Sequence, residues 1–140
     1  MRRGFRFIEH TADIGVVAYG ADIGQVFVSA ARALFSLITE PEAVTENLSR
    51  DIELEAPDEE SLLIEWLNEL IYLFDTEHVL FKRFAVNVVD GKKLKARAWG
   101  EKVDPSRHQL KTGVKAATYH QLSLAGDSGR GYRAQVIFDI

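Results

Sequence analysis

The chain has 140 residues, 46% hydrophobic and 27% charged, which is enough apolar material for one domain with its own core and too much for a disordered chain. Seventeen Lys and Arg against 21 Asp and Glu give a net charge of −4, which argues against a protein that wraps nucleic acid by itself, since such affinity rests on a basic surface releasing counterions. Cysteine is absent, so disulfides, thiolate zinc sites and thiol nucleophiles are excluded, and any metal must be held by oxygen or nitrogen.

The opening Met1-Arg2-Arg3-Gly4-Phe5-Arg6 has no apolar h-region behind it, and no run approaches the length of a membrane span, so a cytoplasmic protein is expected. Phe5 to His10 reads as a first strand and Ile14 to Tyr19 as a second, with a turn containing Asp13 between them. Asp22, with Gln25 three residues on, caps a helix whose apolar face is Ile23, Val26, Phe27, Ala30, Ala31, Leu34, Phe35 and Ile38. Arg50 to Ala56 alternates Ile52 and Leu54 against Asp51, Glu53 and Glu55, a strand with one wet face that Pro57 ends. Asp58 caps a second helix running to about Asp75. Leu62, Leu63, Trp66, Leu67, Leu70, Ile71 and Phe74 form its apolar face, widened by Ile64, Tyr72 and Leu73.

Phe84, Val86 and Val88 then alternate toward Asp90-Gly91, a dipeptide that favours a tight hairpin because both positions tolerate positive φ, and Leu94, Ala96 and Ala98 return. A polar loop containing Pro105 leads to a strand over Val114 to Leu124, a turn over Gly126 to Gly131, and a last strand over Tyr132 to Phe138. No repeat or linker divides the chain, so one domain over residues 1–140 is expected. The order β-β-α-β-α-β-β-β-β does not alternate throughout, which favours an α+β layer of two helices packed on a mostly antiparallel sheet.

Two segments concentrate groups that suit a cation. In the turn, Asp13 is a hard oxygen ligand or a cap for its own backbone, and His10 suits a transition metal better. At the other end Asp139 brings one carboxylate, and Ile140, if the chain ends there, brings the main-chain one. Their repulsion would be relieved by a cation, with Asp13 completing an oxygen-rich set. The competing reading is a solvated terminus, though Tyr132 to Phe138 is too apolar for a loose tail.

The remaining candidates are weaker. Strand alternation places Lys115, Ala117 and Tyr119 on one face and Ala116, Thr118 and His120 on the other, so Lys115 and His120 do not form a catalytic pair. Lys92, Lys93, Lys95, Arg97, Lys102, Arg107, Lys111 and Lys115 make a basic run that reads as a basic face or as a solvated strand and loop. His78 and His108 read as surface residues at element boundaries, and Glu65 and Glu69 as a solvated helix face. P-loop, nucleophile-elbow and H-E-x-x-H patterns are missing, so no self-contained active site is evident.

His10-Thr11-Ala12-Asp13-Ile14, Gly100-Glu101-Lys102, Val114-Lys115-Ala116-Ala117-Thr118-Tyr119-His120 and the terminal Asp139-Ile140 together resemble the archease family along the whole chain. The resemblance implies a small cytoplasmic accessory protein, not an enzyme. Such a protein promotes GTP-dependent guanylylation and multiple turnover of the RtcB-type ligase, which joins 3'-phosphate RNA ends in tRNA splicing and RNA repair. It also implies a metal site, with calcium expected and magnesium or manganese as alternatives, on Asp13, Asp139 and the Ile140 carboxylate. His10 and Lys115 are expected as supporting or ligase-facing residues, with indirect contact to GTP or RNA ends. A chaperone-like role toward a tRNA methyltransferase is the alternative that the same resemblance carries. Ala117 departs from the family pattern, where a bulkier aliphatic residue is common, and a local packing change is expected there.

Overall fold

The structure, a computed structural model, describes residues 3–9, 13–126 and 129–140. In chain order it contains β1 (Gly4–Glu9), β2 (Asp13–Gly20), α1 (Ile23–Ile38), a 3-10 turn (Pro41–Ala43), β3 (Leu48–Glu55), α2 (Glu59–Glu77), β4 (Val79–Val89), β5 (Lys93–Lys102), β6 (Ala116–Gly126) and β7 (Tyr132–Asp139). The fold is α+β with the expected element order. The strands divide into two antiparallel sheets, β1-β2-β7-β6 and β3-β5-β4.

Both helices begin where their caps place them: the Asp22 carboxylate accepts the Gln25 N–H at 2.8 Å and the Asp58 carboxylate accepts the Ser61 N–H at 2.7 Å. Helix α2 stops at His78, which adopts a left-handed φ of 57° and returns its N–H to the Phe74 carbonyl. The Asp90-Gly91 turn has positive φ at both residues, 53° and 67°, and closes through the Lys92 N–H on the Val89 carbonyl.

Helix α1 packs against β2 and β4, one strand from each sheet, while α2 packs chiefly against β6, so one continuous core joins both sheets through the helix layer. Trp66 on α2 is fully buried and donates its indole N–H to the Phe27 carbonyl of α1 at 3.0 Å. Phe35, Phe81 and Phe84 cluster beside it, with Phe35 and Phe81 edge to face at 5.8 Å. Tyr72 departs from expectation. It is 59% exposed, because the buried arc of α2 runs through Leu63, Leu67, Leu70 and Ile71 and leaves position 72 outside.

Strand β4 starts five residues before Phe84. Its first residues, Val79, Leu80 and Phe81, are all buried, and the register shifts between Phe81 and Arg83, so no alternation marks the beginning. The outer face of the three-stranded sheet accounts for three cations of the basic run. Lys93, Lys95 and Arg97 of β5 lie opposite Glu55, Glu53 and Asp51 of β3, at 3.9, 3.5 and 2.6 Å. Arg107 and Lys111 pair with Glu101 and Glu40. These cations form a neutralised ladder and loop contacts, not a basic face. Glu69 on α2 is half-buried, and burial, then Glu65 and Glu77, raise its carboxyl pKa above the usual range, so the expected solvated acidic face holds only in part.

Candidate functional site

Asp13 is the first residue of β2, not part of a turn, and it stands directly opposite Asp139 in the β2–β7 register. Cross-strand partners share one face of the sheet at about 5 Å between Cα atoms, so the two carboxylates project side by side. The opposite face at this end carries Ile14, Phe138 and Ala117, which belong to the core. Two like charges placed this way repel unless a positive partner or a hydrogen-bond donor meets them. Asp13 is half-buried with its Oδ1 shielded from solvent, whereas Asp139 is exposed.

The third strand completes the end of the sheet. Ala116 of β6 pairs with Asp139, and the Lys115 N–H donates to the Asp139 carbonyl at 2.8 Å, which brings the exposed Lys115 next to the acidic pair along the chain. Ile140 follows Asp139 and packs partly against the core, so its main-chain atoms are held at the same sheet end. The main chains of Asp13, Asp139, Ile140 and Lys115 therefore lie together at one end of the four-stranded sheet. His10, with Thr11 and Ala12, lies outside the described residues.

Among the described residues, no three His, Cys, Asp or Glu side chains gather closely enough to hold a metal by themselves. A centre at this sheet end would take two side-chain carboxylates and draw further oxygen from the main chain or water. Such a donor set is all oxygen and suits hard divalent cations.

The alternation expected for residues 115–120 holds over Ala116 to Thr118 and breaks beyond it. Lys115 precedes β6, and the register jumps between Thr118 and Ser123, with Gln121 at a left-handed φ of 52°. Tyr119 and His120 are exposed on this bulge. Ala117 faces the core, and both its backbone groups bond the Asn68 side chain of α2: its N–H donates to Oδ1 at 2.8 Å, and Nδ2 donates to its carbonyl at 3.2 Å. The small side chain at this position thus goes with close approach of the helix.

A second polar cluster was not foreseen. His108 is buried, not on the surface, and Glu101 is buried beside it, 5% and 3% exposed. Glu101 Oε2 meets the Thr45 N–H at 2.6 Å and His108 Nε2 at 3.0 Å, while Oε1 accepts from Arg107. His108 Nδ1 accepts the Asp104 N–H at 2.8 Å, so the ring is neutral with its proton on Nε2, donated to Glu101. Burial pushes the Glu101 carboxyl up, but the Thr45 N–H, Arg107 and His108 outweigh it and lower the pKa to about 2. The signal available in sequence was Gly100. A Cβ there would lie 1.8 Å from the Leu80 carbonyl oxygen, so the strand pair closes tightly just where Glu101 turns inward. This cluster anchors the segment from Val103 to Lys115, whose Lys111 and Thr112 N–H groups cap the end of α1 on Ile38 and Leu37.

Comparison with known proteins agrees with this architecture. The family model described as Archease protein family (MTH1598/TM1083) matches residues 5–140. Protein archease of Methanosarcina mazei is 43% identical, with 97% of this chain and 95% of that protein covered. Protein archease of Pyrococcus furiosus is 40% identical over 99% of both chains. The solution structure of Methanobacterium thermoautotrophicum protein 1598 superposes with a TM-score of 0.86 at 37% identity, covering 98% of this chain and 99% of that one. With the match running from β1 to the last residue, the chain belongs to the archease family.

Proposed function

We propose that this chain is an accessory protein of an RtcB-type RNA ligase, promoting GTP-dependent guanylylation of the ligase and its multiple turnover in tRNA splicing and RNA repair, without an active site of its own. The observation that carries the reading is the in-register pairing of Asp13 with Asp139 beside Lys115 and Ile140, at one end of the four-stranded sheet of an archease-family chain. In this reading Asp13, Asp139 and, where Ile140 is the last residue, its carboxylate hold a divalent cation, calcium first, with magnesium or manganese as alternatives. The bound cation supplies positive charge that offsets phosphate oxygens. The rigid β2–β7 ladder keeps the two carboxylates together without a rearrangement, and Lys115 presents an ammonium at the same sheet end toward the ligase. His10 is the remaining supporting candidate.

The test is single- and multiple-turnover guanylylation of the cognate ligase with Asp13→Asn, Asp139→Asn and a chain extended past Ile140. The two Asn variants keep shape and remove charge. Each is expected to cut multiple turnover at least tenfold while circular dichroism stays unchanged, and the extension, which converts the terminal carboxylate to an amide, is expected to do the same. Full activity in both Asn variants overturns the proposal. If they alter tRNA methyltransferase site choice and leave ligation intact, the methyltransferase-modulator reading replaces it.

A further inference from the structure

A stripe along one side of α1 runs Gln25, Ser29, Arg32, Ser36; Arg32 and Gln25 are exposed, whereas Ser29 is buried and donates its hydroxyl to the Tyr19 carbonyl at 2.7 Å. Two cavities lie along this stripe and meet at Arg32, which lines both. The first, about 330 Å³, opens between β1 and β4, strands at the margins of different sheets, with α1 as its floor. Its walls are Phe5, Phe35, Pro41 and Phe81, and its charged groups are Arg32, Lys82 and one opposing carboxylate, Glu42. The second, about 430 Å³, continues toward Gln25 and Ser29 and contributes Arg3 with no acidic residue.

The groove gathers Arg32, Lys82 and Arg3 against one carboxylate, Glu42, on a chain that carries a net −4. Arg50, Arg83, Arg97 and Arg107 each sit on a carboxylate. Arg32 and Arg3 have no carboxylate partner among the described residues, although both line the cavities. Lys82 is held in place by donating to the Val44 carbonyl at 3.0 Å, so its ammonium is fixed at the cavity wall. The first cavity is the size of a small-molecule site, its wall shared about evenly between polar and apolar surface, with two cations and one carboxylate in its lining.

We infer that the α1 groove is a binding site for a small organic anion with a flat apolar body, its anionic head between Arg32 and Lys82 and its ring against Phe5, Phe35 and Pro41. Any polar extension runs along Ser29 and Gln25 toward Arg3. The site is separate from the Asp13–Asp139 pair, so its test is independent of the ligase.

The probe is 1-anilinonaphthalene-8-sulfonate, titrated into the intact chain by fluorescence and by backbone amide NMR shifts. One site is expected, with shifts centred on Phe35, Ser36 and Lys82. Arg32 is exposed, so Arg32→Glu keeps the fold, which circular dichroism verifies. It is expected to weaken the sulfonate at least tenfold, the scale of a charge-assisted hydrogen bond. The uncharged N-phenyl-1-naphthylamine should change less than twofold. Competition by 1-naphthyl phosphate or by naphthalene-1-acetate supports the assignment and reports whether phosphate or carboxylate is the preferred head; competition by neither overturns it. Shifts centred elsewhere, or equal binding of the sulfonate to the wild type and Arg32→Glu, overturn it as well.

Discussion

Replacing Glu101 by Gln preserves volume and removes a buried charge from a site where three donors converge. The Thr45 N–H and the His108 Nε2 proton point at one carboxylate oxygen, and Arg107 points at the other. A carboxamide offers one acceptor oxygen and one donor nitrogen, so at least one donor now faces an N–H, and the surviving bonds lose their charge assistance. Loss of one to two charge-assisted bonds costs about 3 kcal/mol, because Glu101 is almost fully shielded from water while the half-exposed Arg107 recovers some solvation. For a domain of this size that corresponds to a fall in Tm of roughly 10 °C at pH 7. The pH dependence supplies a second reading of the same group. The carboxyl holds its proton with a pKa of about 2 in the folded chain against an ordinary 4.5, so its contribution is present above pH 4.5 and disappears as pH falls through about 2. Thermal unfolding followed by circular dichroism between pH 7 and pH 2 should show the gap between wild type and Glu101→Gln closing over that window. A gap below 2 °C at pH 7, or one that stays constant down to pH 2, refutes the reasoning.

Two more outcomes follow from backbone contacts. Gly100→Ala drives a Cβ into the Leu80 carbonyl of the neighbouring strand, where neither chain can yield without parting β4 from β5, and urea unfolding should register a loss of more than about 3 kcal/mol. Asn68→Ala strips the partners from both backbone groups of Ala117; it should cost about 2 kcal/mol and speed amide exchange at Ala117 well above that at Ile137.

The helices were legible because α1 and α2 obey local rules: a capping aspartate and an apolar stripe. The hairpin at Asp90-Gly91 was legible for the same reason, since two adjacent positive-φ positions leave few alternatives. Division into two sheets was not, because β7 returns to pair between β2 and β6, a choice made by residues more than a hundred positions apart that leaves no mark on local pattern. The start of β4 stayed hidden where Val79, Leu80 and Phe81 are buried together, and the bulge after Thr118 hid which way Tyr119 and His120 project. Asp13 and Asp139 were singled out by sequence, but only the β2–β7 register makes them neighbours. His108 looked like a surface histidine because the partner that buries it, Glu101, lies seven residues back on a strand and reads as one more charge in a mixed run.

The ladder on the outer face of the three-stranded sheet bears on how this protein meets polyanions. Asp51, Glu53 and Glu55 set against Arg97, Lys95 and Lys93 form a double layer of opposite charge one strand spacing thick. Seen from beyond a Debye length, about 8 Å at physiological salt, the two rows cancel, so a long phosphate backbone is neither drawn in nor strongly repelled across that face. A sheet built this way presents a face on which a distant polyanion feels little net field.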